Sequence, residues 1–187
     1  MNSKNLMIKK IALFAMFLAL CWLLPLLTGQ IKEIGNMLCP MHIPVLLCGF
    51  ILKEKYGTLL GLIAPLTRSL LFGMPPLYPT ALCMSIELAI YGFVSGFLFK
   101  IFVKKFDFDK NLIFGIYLSL IIAMLLGRIA WGFTSFIIGL IQQSSFTFKA
   151  FITYSLINAW PGILIQLILI PLLIFTLCKS KQLQKLY

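Results

Sequence analysis

Long apolar runs alternate with short polar interruptions along this chain, and the run lengths predict its elements. Helices are expected over roughly residues 6–27, 42–53, 58–72, 80–103, 112–141 and 149–178. Several of these runs reach the ~20 apolar residues that cross a ~30 Å hydrocarbon layer. The run at 42–53 is shorter, only about 18 Å as a helix, so its ends need shelter from protein or a cavity. Between the runs lie a segment punctuated by Gly29, Gly35 and Pro40, a turn at Lys53–Gly57, a chargeless turn at Phe72–Pro79, a basic loop at Lys104–Lys110 and a polar turn at Gln142–Thr147. Pro44 suits a first helical turn, and Pro65, Pro161 and Pro171 predict bends. Gly92 and Gly96 have the spacing of a close helix contact. Ala12, Ala15 and Ala19 share one face of the first helix, open either to internal packing or to a docking partner.

Composition turns this pattern into a membrane protein. The 187 residues are 61% hydrophobic and only 11% charged, against about 25% charged in soluble domains. The expected fold is all-α: one domain over 1–187, a compact bundle of six transmembrane helices. The net charge of +11 would prompt a search for nucleic acid in a soluble chain. Here the cations mark topology instead. With six spans, Lys4, Lys9, Lys10, Lys53, Lys55, Lys100, Lys104, Lys105, Lys110, Lys179, Lys181 and Lys185 fall on the side of the termini. Lys32 and Lys149 fall on the other, so both termini are expected in the cytoplasm. The N-terminal run is too long for a usual signal peptide and is read as a retained helix. Five cysteines without a Cys-x-x-Cys pair read as small hydrophobes rather than a metal site.

Five polar residues within the apolar runs then stand out: His42, Arg68, Glu87, Arg128 and Asn158. At about 1.5 Å per helical residue, all of them fall at mid-membrane or in its outer half. Ionisable groups at such depth are costly and usually face a cavity or one another. Each has a plainer alternative: an Arg68–Glu87 pair that fixes two helices, His42 as a cap, Arg128 reaching to the interface, Asn158 satisfying backbone freed by Pro161. Together they predict a polar pocket open to the outside, with Tyr78, Tyr91 and Trp131 available to stack on a ligand. Two arginines against one nearby carboxylate favour a small anionic or zwitterionic molecule.

Some chemistry is missing from the sequence. There is no phosphate loop, no Gly-x-Ser-x-Gly elbow and no pair of ligating histidines. An intramembrane enzyme with His42 and Glu87 as acid and base would lack a nucleophile, so no enzyme, no metal and no cofactor are expected. A pocket without an engine implies a binding subunit powered by partners, with a ligand-free structural subunit as the rival reading.

The segments His42-Ile-Pro-Val-Leu, Pro65-Leu-Thr-Arg-Ser-Leu-Leu-Phe-Gly-Met-Pro-Pro-Leu-Tyr-Pro-Thr80, Glu87-Leu-Ala-Ile-Tyr-Gly92, Gly127-Arg-Ile-Ala-Trp-Gly132 and Pro161-Gly-Ile-Leu-Ile-Gln166 carry a resemblance. The chain resembles the substrate-binding (S) components of energy-coupling factor (ECF) transporters, in the broad family that includes riboflavin and pantothenate binders. That resemblance implies a vitamin importer in a prokaryotic cell membrane. Its S component captures substrate from outside and docks on a transmembrane coupling subunit with two ATPases, which consume the ATP. It implies Ala15 and Ala19, with Ala12 beside them, as the docking contact. It also implies that the segments 28–41 and 72–79 cover the ligand. Pantothenate suits Arg68 or Arg128 with Asn158; riboflavin, pyridoxine and a queuosine precursor are the alternatives.

Overall fold

In a computed structural model of the chain, residues 3–27, 37–105, 112–142, 153 and 159–179 are described. The elements are α1 (Ser3–Leu27), α2 (His42–Phe72), a π-helical turn (Leu77–Ala81), α3 (Leu82–Lys105), α4 (Leu112–Ile141) and α5 (Trp160–Lys179). No strand occurs among the described residues. Among the described residues, four stretches are long and apolar enough to cross a membrane: Lys4–Leu27, Leu77–Phe102, Leu112–Ile141 and Trp160–Lys179. Apolar side chains such as Leu125, Ile129, Phe133, Leu140, Ile168 and Leu172 are exposed around α4 and α5. A helix that is hydrophobic on every face belongs in lipid or in a core.

α2 is a hairpin rather than a rod. Lys53 leaves helical geometry at φ 75°, ψ 176°. In a straight helix Gly49 and Gly57 would be about 12 Å apart, yet a Cβ on Gly57 would stand 2.7 Å from the Gly49 Cα. The two limbs, 42–52 and 54–72, therefore run back to back. The reversal takes one residue where the sequence predicts a turn over 53–57. Thr58 Oγ1 donates to the Glu54 carbonyl at 2.7 Å, and Lys100 Nζ donates to Glu54 Oε1 at 2.9 Å, which ties the reversal to α3. Pro65 keeps helical dihedrals, so the only break in α2 is at Lys53. The second limb stops at Gly73, whose N–H bonds the Ser69 carbonyl at 2.9 Å.

α3 packs along this hairpin with backbone against backbone. A Cβ on Gly92 would collide with the Gly57 carbonyl. The helices meet this closely only because both positions lack a side chain. Phe50 and Phe99 close the core beside the seam, edge to face at 5.2 Å. α1 lies on the other side of α2 through Phe17 and Cys21, with Phe14 against Tyr56 at 6.2 Å. Most of α1 is left uncovered by the bundle, and Ala12 and Ala15 are exposed while Ala19 is half-buried.

Candidate functional site

The site begins in the turn that starts α2. Cys39 adopts φ 45° and its carbonyl accepts the His42 N–H at 3.0 Å. That turn delivers His42 into the bundle interior, where it is 3% exposed. Glu87, near the start of α3, is 2% exposed. Its Oε1 lies 3.3 Å from His42 Nε2 and 3.1 Å from Arg128 Nη1 of α4. Arg128 Nη2 also points to Cys39 Sγ at 3.5 Å. One turn along α3, Tyr91 is fully buried and meets the His42 ring edge to face at 5.0 Å. A Cβ at Gly127 would collide with the Tyr91 ring at 2.5 Å, so glycine there lets α4 bring Arg128 inward.

These charges are close, but their hydrogen bonding is incomplete. His42 Nδ1 and Nε2, Glu87 Oε1 and Arg128 Nε are buried without a hydrogen-bond partner. The ion-pair distances give Coulombic attraction, while the orientations fall short of hydrogen bonds. Orphaned buried polar atoms are rare and costly. The group offers a carboxylate acceptor, guanidinium donors and an imidazole that can do either. It can therefore grip a small polar molecule from several directions.

The remaining predicted site residues divide. Arg68 is 3% exposed but belongs elsewhere: Nη1 donates to the Trp22 carbonyl of α1 at 2.7 Å, and the guanidinium sits 5.3 Å from the Phe72 ring centroid. Trp22 Nε1 donates in turn to Thr67 Oγ1 at 3.1 Å. Arg68 thus ties α1 to α2, and the Arg68–Glu87 pair does not form. Tyr78 is exposed at the π-helical turn. Trp131 is half-buried, one turn beyond Gly127 on α4. Asn158 lies outside the described residues, as do residues 28–36 of the expected cover. A groove of about 380 Å³ lies at the Lys53 end, lined by Glu54, Lys55, Thr58, Leu59, Leu62 and Phe93. It contains none of the cluster, and Glu54 there is already bonded to Lys100.

Two residues escaped the sequence reading. Cys39 passed as one more hydrophobic cysteine, although it lies three positions before His42 in a Pro-punctuated stretch. Gln166 of α5 is 1% exposed, and neither its Oε1 nor its Nε2 has a partner. Its signal was available: a single amide inside Ile163-Leu-Ile-Gln-Leu-Ile168. Among the described residues no group of three His, Cys, Asp or Glu side chains could hold a metal.

The fold defines a multi-pass helical membrane protein with a buried polar cluster between its helices. A protein-family model, the ECF transporter, substrate-specific component, matches residues 9–174. The chain belongs to that family, whose members are substrate-specific membrane subunits of transporters, not enzymes. No curated protein and no solved structure matches it.

Proposed function

We propose that this chain captures a small vitamin or cofactor precursor at the His42–Glu87–Arg128 cluster, from outside a prokaryotic cell, and passes it inward through a transmembrane coupling subunit and two ATPases. The observation that carries the reading is the set of buried polar atoms on three helices that lack partners. A structural ion pair would be expected to satisfy itself; a binding site completes its hydrogen bonds with its ligand.

The topology belongs to the same proposal. The α2 hairpin counts as two spans, which with the four long stretches makes six, and the lysine asymmetry favours both termini in the cytoplasm. The cluster then lies on the outer side and opens outward. The face carrying Ala12 and Ala15, exposed, and Ala19, half-buried, suits close approach by another helix, the coupling subunit's. Two arginines facing one carboxylate would favour an anionic or zwitterionic ligand, and pantothenate would suit Arg68 or Arg128 with Asn158. With Arg68 bound to the Trp22 carbonyl, only Arg128 stands in the cluster, and pantothenate stands level with other small polar vitamins.

Mass spectrometry of small molecules retained by the detergent-purified protein tests the reading. Wild-type protein is expected to carry one such molecule stoichiometrically, and Arg128→Ala to lose it. Equal retention by both would remove Arg128 from the site, and an empty wild-type protein would contradict the capture function.

A further inference from the structure

Gln166 has an unsolved problem inside the bundle. A glutamine amide has two N–H donors and a carbonyl acceptor, and in a membrane no bulk water reaches them. Here both ends are buried and unpartnered. The position of Gln166 connects it to the cluster. Gly162, one turn earlier on the same buried stripe of α5, packs so tightly that a Cβ would lie 2.7 Å from the Met37 and Leu38 carbonyl oxygens. The next residue of that segment, Cys39, touches Arg128. Gln166 follows at a spacing of four residues, about 6 Å along the axis. α5 packs on α2 and on α4, which carry His42 and Arg128.

The charge balance of the site is the second observation. Arg128 lies 3.1 Å from Glu87 and offsets its charge, and Arg68 is engaged elsewhere. The Glu87 and Arg128 charges sum to zero. An ionised ligand would then bring an uncompensated charge into a low-dielectric interior. The unpartnered atoms include both donors and acceptors: Arg128 Nε and Gln166 Nε2 on one side, Glu87 Oε1 and Gln166 Oε1 on the other.

We propose that Gln166 is a ligand-contacting residue of this site, and that the bound molecule has no net charge and presents a donor and an acceptor side by side, as an amide or lactam edge does. The inference rests on the capture reading above and narrows its substrate class. Gln166 reads that edge in pairwise fashion, while Glu87 and Arg128 take a second polar group.

The test compares wild-type and Gln166→Leu proteins, purified from their native membrane in mild detergent. Retained small molecules are identified by mass spectrometry, and melting is measured after exhaustive stripping. The expected result is a molecule with no net charge at neutral pH in the wild type, and about tenfold less of it in Gln166→Leu. Stripped Gln166→Leu is expected to melt no lower than stripped wild type, because leucine removes two orphaned atoms. An empty wild-type protein would contradict the capture function itself. A loaded wild-type protein whose molecule carries a net charge at neutral pH, equal loading of Gln166→Leu, or a lower melting point of the stripped variant would overturn this inference alone.

Discussion

The two ends of the α2 hairpin solve the same packing problem in opposite ways. At the Lys53 end, helices meet through glycine, backbone on backbone, and Glu54 Oε1 takes a direct hydrogen bond from Lys100. At the His42 end, three ionisable side chains sit within ion-pair distance, yet four of their buried atoms find no hydrogen bond. The first end pairs its one carboxylate directly with Lys100 and leaves a single orphaned atom, Glu54 Oε2. The second is complete only in its charges. On the proposed reading, stability and ligand capture occupy different stretches of the same two helices, α2 and α3, and substitutions can separate them.

The largest effect is expected from Glu87→Leu. It leaves Arg128 as a buried, unpaired cation, which costs about 3–5 kcal/mol, and it empties the site. Melting and retained-molecule content measure both losses together. Gly92→Ala should come next, at about 3 kcal/mol, since its methyl would meet the Gly57 backbone rather than a movable side chain. Its signature is lower melting with normal loading per folded molecule. A fall in loading at unchanged melting would erase the distinction between the two ends.

Arg68→Ala sharpens the comparison further, because Arg68 lies near the His42 end in depth but outside the cluster. Losing its bond to the Trp22 carbonyl should cost about 2 kcal/mol and loosen α1, while loading persists. Lost loading at unchanged melting would return Arg68 to the site. The smallest effect belongs to Lys100→Ala, below about 1 kcal/mol for a partly exposed pair. The hydrogen bond from Lys100 holds the Glu54 carboxyl below the usual carboxylate range. Its folded-state pKa is depressed, so its contribution is present above the unfolded value, about 4, and is lost as pH falls through the folded one. Lys100→Ala should therefore melt below wild type at neutral pH, and the gap should close in acid.

The fold was legible wherever run length and punctuation speak for themselves. The apolar run from His42 interrupted at Lys53 announces a reversal, because a 12-residue segment cannot cross a bilayer unaided. His42, Glu87 and Arg128 stand out because ionisable groups in apolar runs are rare. Arg68 carries the same mark and yet serves a different purpose. Its partner is a backbone carbonyl 46 positions away, and carbonyls have no signature in sequence. Cys39 needed the turn geometry at φ 45° to be seen near Arg128. Gln166 was visible as a lone amide, but its lack of partners emerges only once the bundle is assembled.

The central claim is that the His42–Glu87–Arg128 cluster exists to bind and not to hold the bundle together. The double substitution Glu87→Met with Arg128→Met removes both charges at similar volume, and its melting in the stripped state is the most direct measurement. Replacing a buried ion pair by apolar residues is often neutral or stabilising, by about 1–4 kcal/mol. The account predicts a double variant that melts at or above stripped wild type and retains no small molecule. A double variant that melts well below wild type, or one that still loads, would contradict it.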